Sequence, residues 1–312
     1  TDFGRDKIFG FSTSDLAKWI EEKSLGKIQA KNIFHLEIKQ LENALNNQDG
    51  FKSLVSYLSK LDDNISVVVD AKLPHHLEIL VSAIKIISKE KRFLFRTAAS
   101  FINSLSSLKP NPKSTLELVS LKSQDIDFEY KPGLIMVGSH VQLATDQLEV
   151  LLKDNSCEGL EIPVSKLADI FALEDCQQEI LDLEHILLSK IDNILYSKKI
   201  PVLYTTREEM RFSSQSIRMK FGLELAEFMA VLVGKKTNKL GYIISKGGIT
   251  TQLLLQKGLN LNQVILQGQI LPGLSIVQGD SDQHNLPVVT FPGNLGSENT
   301  LLESFKLMEF DS

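Results

Sequence analysis

The chain has 312 residues, 43% of them hydrophobic and 23% charged, with a formal net charge of −5. That is the balance of a globular protein with length for two ordinary domains. An acidic chain without a dense Lys/Arg stripe excludes nucleic acid as the main partner, because phosphate-backbone binding requires a basic face.

No apolar run approaches the roughly 18 residues of a membrane-spanning helix, and "TDFGRDKIFGFS" shows no charged-then-apolar leader pattern. The expectation is a cytoplasmic protein with no membrane partner. The two cysteines, Cys157 and Cys176, read as buried thiols rather than a disulfide or a metal site.

In chain order, "FSTSDLAKWIEEKS" offers caps at Ser12 and Ser14, then Leu16, Trp19 and Ile20 at helical spacing. "NISVVVDA" (64–71) is a β-branched run typical of a buried strand. "LPHHLEILVSAIKIISKEK" (73–91) predicts a helix with Pro74 in its first turn. "RFLFRTAAS" (92–100) reads as a second strand and "FINSLSSL" as a helix start. Residues 109–133 hold three prolines and many polar residues and read as a linker between a domain over 1–108 and another over 134–312.

The alternation then resumes. Strands are expected at "LIMVGSH" (134–140), "GLEIPV", "IPVLYTT", "GYIIS" and "LPVVTFPGNLG" (286–296). Helices are expected at "VQLATDQLEVLLK", over the long "EDCQQEILDLEHILLSKIDNILYSKK", at "SSQSIRMKFGLELAEFMAVLVGKK", after the Lys246-Gly247-Gly248 hinge and at "SENTLLESFKLMEF". The expected fold class is α/β, with two domains, each a mostly parallel sheet flanked by helices.

Ligands of such sheets sit at the carboxyl ends of the strands. Three expected strand ends carry small residues: "VGSH" (137–140), "SKGGITT" (245–251) and "FPGNLG" (291–296). Glycine there lets a ligand approach the backbone, and free N–H groups at a helix start favour an anion. The helix after the hinge is expected to begin at or next to Thr250, with Lys246 adding charge at the rim. Each element alone also reads as a plain turn or cap; the set points to a phosphate-bearing ligand.

Other motifs fail. "GKKT" (234–237) has Met229 where a P-loop needs glycine, and there is no G-x-G-x-x-G, H-E-x-x-H or G-x-S-x-G. His75 and His76 face different sides of a helix, and Asp62-Asp63 reads as a solvated turn.

In this order, "VGSH…T…QL" (Val137 to Leu148), "YTTRE" (204–208), "SKGGITT", "GQILPG" (268–273) and "FPGNLG" resemble the nucleotide-binding half of the four-carbon acid sugar kinases. "TDFGRD…SDLAKWIEEKSLGKI" and "VVVDA" resemble the later part of that family's first, substrate-binding domain. The resemblance implies ATP-dependent phosphorylation of a hydroxyl of a small sugar acid of the threonate or erythronate type, with Mg2+. It implies nucleotide contacts at Ser139, Gly247, Gly248, Thr250 and Gly293, and no dedicated metal ligand.

Ile249 stands where many members carry Asp. The family's Asp-Asp-x-Thr-Gly and Lys-x-Asp-Ser-Thr segments do not occur, so the catalytic base is unassigned. The chain reads either as a piece of a longer protein or as a nucleotide-binding module without turnover. A homo-oligomer is left open.

Overall fold

The computed structural model describes residues 4, 10–107, 111–207, 210, 212–280 and 285–310. Most of "TDFGRD", residues 109 and 110 of the expected linker and Glu208 of "YTTRE" lie outside the described residues. The chain divides into two compact units, Thr1–Pro110 and Asn111–Ser312.

In the first unit, α1 (Leu16–Lys23) is followed by β1 (Phe34–Leu36), α2 (Ile38–Asn46), α3 (Gln48–Ser59), β2 (Val67–Val69), α4 (Pro74–Ile87) and α5 (Ala99–Ser106). The strands pair in parallel, Phe34 beside Val67. Asp15, not a serine, caps α1: its Oδ1 accepts from the Lys18 N–H at 3.1 Å. Ser12 instead bonds the Glu22 carboxylate. Pro74 stands in the first turn of α4, where its missing N–H costs nothing. Leu36, Leu41, Leu54, Leu80, Ile84 and Phe101 are buried together as the core.

The strand expected over 92–100 does not form. Alternation does place Phe93 and Phe95 in a stacked pair with centroids 6.1 Å apart, and Phe95 also meets Phe101. Extended backbone is a local property, whereas a strand needs a partner edge. Among the described residues, 92–98 pairs with no strand, although the two-stranded β1-β2 sheet ends in open edges, and α5 begins at Ala99.

The second unit runs α6 (Thr115–Ser120), β3 (Gly133–Val137), α7 (Gln142–Leu151), β4 (Cys157–Ile162), α8 (Val164–Phe171), α9 (Gln177–Tyr196), β5 (Ile200–Thr205), α10 (Gln215–Gly234), β6 (Tyr242–Lys246), α11 (Gly248–Leu253), β7 (Ile265–Leu271), β8 (Leu274–Gln278), β9 (Val288–Phe291) and α12 (Thr300–Met308). The sheet order is β4-β5-β3-β6-β9-β8-β7. The first five strands are parallel; β9, β8 and β7 form an antiparallel edge.

Both faces of this sheet are covered, which explains why β3 is apolar throughout. Leu134 and Met136 enter the core built with α8, α9 and α10, while Ile135 and Val137 enter the opposite core with α7 and α12. Each fully buried aliphatic side chain contributes roughly 1.5–3 kcal/mol.

Three features depart from the sequence reading. Residues 111–133, expected as linker, pack on the second unit: Ser114 and Glu117 form a capping box that starts α6, and Leu118 is fully buried against the α12 side of the sheet. The periodic stretch 115–120 was masked by the prolines around it. Second, α8 precedes the long helix, which begins only at Gln177. Third, β7 and β8 form a hairpin around Pro272-Gly273, with Gly273 at φ +81°.

Candidate nucleotide site at the carboxyl edge of the sheet

Because β5, β3, β6 and β9 are adjacent and parallel, the segments after them emerge side by side at one edge. "VGSH" follows β3, "YTTRE" follows β5, the glycine hinge follows β6 and "PGN" follows β9. Backbone bonds extend the ladders past the strands: the Gly138 N–H donates to Lys246 O at 3.1 Å, and the Gly247 N–H to Phe291 O at 2.8 Å.

Gly247 adopts φ +125°, ψ 133°, a conformation that L residues rarely reach, and this reversal turns β6 directly into α11. The helix therefore starts at Gly248, two residues before the expected position, and continues into a π turn over Leu254–Gly258. Gly248 and Ile249 are exposed, while Thr250 and Thr251 are buried. The Thr251 hydroxyl donates to Ser245 and fastens the first turn to β6.

Four of the five expected nucleotide residues converge. A Cβ built on Gly293 would lie 2.5 Å from Ser139 Oγ, and one on Gly247 would lie 3.1 Å from Thr250 Oγ1 and 3.4 Å from the Ser139 nitrogen. A Cβ on Gly138 would stand 2.2 Å from Thr250 Oγ1, so the threonine hydroxyl is wedged under the turn. The fifth, Gly248, stands on the open side, where a Cβ would meet nothing within 4 Å. Ser139 does not cap α7: the cap position is Val141 and lacks a side-chain bond.

Lys246 is not at the rim. It is fully buried, 3.9 Å from the centroid of the Phe291 ring, with Nζ donating to Pro292 O at 3.3 Å. Burial, with the nearby Arg207 charge, lowers its pKa to about 8. His140 keeps an exposed face, yet its Nε2 lies 3.1 Å from the buried Thr205 hydroxyl. Desolvation, then the Arg207 and Arg218 charges, lower its pKa to about 4, so the ring is neutral at pH 7.

Arg207 escaped the sequence reading, although "YTTRE" contains it. Its Nη1 donates to Ser139 O at 2.6 Å, joining the ends of β5 and β3. The neighbouring Thr206 hydroxyl donates to Glu161 and to Ile162 O, joining β5 to β4. The available signal was an arginine placed just after an apolar run, where a parallel strand delivers it to the ligand edge.

A groove of about 360 Å³ opens elsewhere, between α8, α9 and α10, over Phe171, Cys176, Ile180 and Phe228. Its rim carries Glu184, Glu224 and Glu227, each paired with a lysine. An apolar floor with a carboxylate rim suits an anion poorly, whereas the sheet edge has cations and exposed amides. Cys157 and Cys176 are both free. Among the described residues no cluster of three or more His, Cys, Asp or Glu could hold a metal, and no helix is long and apolar enough to cross a membrane.

A parallel sheet with glycine turns gathered at its carboxyl edge defines a nucleotide-type α/β domain, here preceded by a smaller α/β unit. Residues 134–301 match the nucleotide-binding C-terminal domain, and residues 1–105 match the sugar-binding N-terminal domain. The chain belongs to the family that pairs these two domains, the four-carbon acid sugar kinase family.

Among solved structures, a protein of Salmonella typhimurium LT2 aligns at 14% identity and TM-score 0.58, over 97% of this chain and 65% of its own. The Haemophilus influenzae protein HI1011, of family DUF1537, aligns at 15% identity and TM-score 0.53, over 99% of this chain and 67% of its own. A DUF1537 protein of Bordetella bronchiseptica aligns at 14% identity and TM-score 0.46, over 99% of this chain and 64% of its own. This chain thus spans about two thirds of the length of these proteins. At these identities the likeness is one of fold. No curated protein matches the chain by sequence.

Proposed function

We propose that the second unit binds ATP at the carboxyl edge of its sheet, and that the protein phosphorylates a hydroxyl of a four-carbon sugar acid of the threonate or erythronate type. The observation that carries the nucleotide part is the close approach of Gly293 to Ser139 above Gly247. Three segments distant in sequence give up side-chain volume at one point, and Gly248 stays open beside it. Phosphate oxygens would take N–H donors of the Ser139 segment and of the first turn from Gly248, the Gly247 N–H being spent on Phe291 O, with Thr250 supporting the turn from beneath.

Phosphoryl transfer is largely positioning and charge neutralisation. The chain's own contribution is the amide-lined turn, the Arg207 and Lys246 charges and a neutral His140. Mg2+ fits as a companion of the nucleotide, held mainly by phosphate oxygens and water, since it needs few protein ligands. It would neutralise phosphate charge. The sugar-binding match over 1–105 supports a small polar acceptor.

A module that binds nucleotide without turnover is the second reading, favoured by the lack of an Asp-Asp-x-Thr-Gly segment in these residues. Titrating ATP and then assaying phosphate transfer to threonate and erythronate tests both. Absence of ATP binding overturns both readings; binding without transfer to any four-carbon acid leaves the second.

A further inference from the structure

The Arg207 guanidinium uses one edge and leaves the other empty. Nη1 is spent on Ser139 O, whereas Nε and Nη2 are buried and have no partner among the described residues. Those two N–H groups form the side-on fork of an arginine, a parallel pair that matches two oxygens of one phosphoryl group. Buried donors are almost always satisfied, so an empty fork calls for an acceptor that the chain does not supply.

The neighbourhood agrees. Arg218 also has a buried Nη1 without a partner, and Lys246 is buried nearby. None of the ion pairs formed by the described residues involves Arg207, Arg218 or Lys246. Glu161 is the one carboxylate whose charge acts on Arg207, and it is bonded by the Thr206 hydroxyl rather than ion-paired with the guanidinium, so positive charge predominates. The fork is also anchored at a useful place: the Nη1 bond ties it to the Ser139 segment, which already touches the glycine turn.

We propose that Arg207 is a ligand for a phosphoryl group of the nucleotide other than the one held at the glycine turn. This rests on the nucleotide reading above. One phosphoryl group lies at the Gly247–Gly248 turn after β6, and the next is taken by the Arg207 fork after β5. These strand ends stand two strand spacings apart, about 10 Å. The arginine covers part of that span by reaching to Ser139 on the strand between them, and comparing AMP with ADP decides whether one phosphoryl group or two bridge the rest.

The test is a titration of AMP, ADP and ATP, each with Mg2+, against the full chain and its Arg207→Gln and Arg207→Lys variants. Inorganic tripolyphosphate serves as competitor, threonate as a separate ligand, and thermal melts check folding. The expected result is that Arg207→Gln loses about tenfold or more in ADP and ATP affinity. AMP affinity should stay within about twofold, and tripolyphosphate should compete with ATP on the wild type. Arg207→Lys, which keeps the charge without the fork, should fall between, and it carries the comparison if Arg207→Gln does not fold.

Equal loss on all three nucleotides, no loss on any, or a loss confined to threonate would overturn the assignment while leaving nucleotide binding intact. A wild-type chain that binds none of the three would overturn the nucleotide reading and this inference together.

Discussion

A side-chain carbon on Gly293 would stand 2.5 Å from the Oγ of Ser139 and 3.1 Å from its Cβ. The two residues follow β9 and β3, which are not neighbours: β6 lies between them. Their loops therefore meet over the end of β6, where Gly247 reverses the chain. The Gly293→Ala substitution should displace the Ser139 side chain, which can rotate away at a cost of about 0.5–1.5 kcal/mol. ATP affinity should fall roughly tenfold with little change in melting temperature. Unchanged affinity in the titration would mean that Ser139 does not touch the ligand.

Gly248 differs from Gly247 in kind. Its Cβ would meet no protein atom within 4 Å, and the positive φ belongs to Gly247 alone of the pair. Gly248→Val should therefore fold almost normally, since valine is no worse than glycine in a helix. Its branched side chain would occupy the open side of the turn and weaken ATP binding by about tenfold or more. A melt that collapses while the folded fraction binds normally would make this glycine structural and remove it from the site.

Gly247→Ala should act on folding first. At φ +125° a Cβ is strained, by about 1–3 kcal/mol for sparsely populated backbone regions. Chemical denaturation should show a lower midpoint with an unchanged slope. A midpoint equal to wild type would mean that the turn can rearrange without its glycine.

His140 gives the pH prediction. Its ordinary value is 6.5 and its folded value about 4, lowered by desolvation and then by the Arg207 and Arg218 charges. Between those values the unfolded chain takes up a proton that the folded chain refuses. The contribution to stability is thus fully present above pH 6.5 and is lost as pH falls toward 4. The denaturation midpoint of the wild type should decline through this window more steeply than that of His140→Gln. An NMR titration that finds His140 ionising near 6.5 would refute the assignment.

The sequence by itself determined the alternation of strands and helices in the second unit. Full burial on both faces makes β3 apolar without a break and β5 and β6 apolar up to their carboxyl ends, where Thr205, Ser245 and Lys246 stand, and the 3.6-residue period marks α7 and α12. Proline at the start of α4 and glycine after β6 carry their backbone conformations with them, so both were legible. What only the tertiary structure decided is adjacency. Whether 92–98 becomes a strand depends on a partner edge, which no local pattern encodes. The burial of Leu118 depends on α12, nearly two hundred residues later in the chain. Sequence could mark Ser139, Gly247 and Gly293 as ends of elements, but their convergence requires β6 to stand between β3 and β9. Arg207 enters the site because parallel pairing sets β5 beside β3, within reach of Ser139 O. Dihedral preference and periodicity act over a few residues; strand order is fixed by closing loops tens of residues long around shared cores, and that closure is what assembles the site.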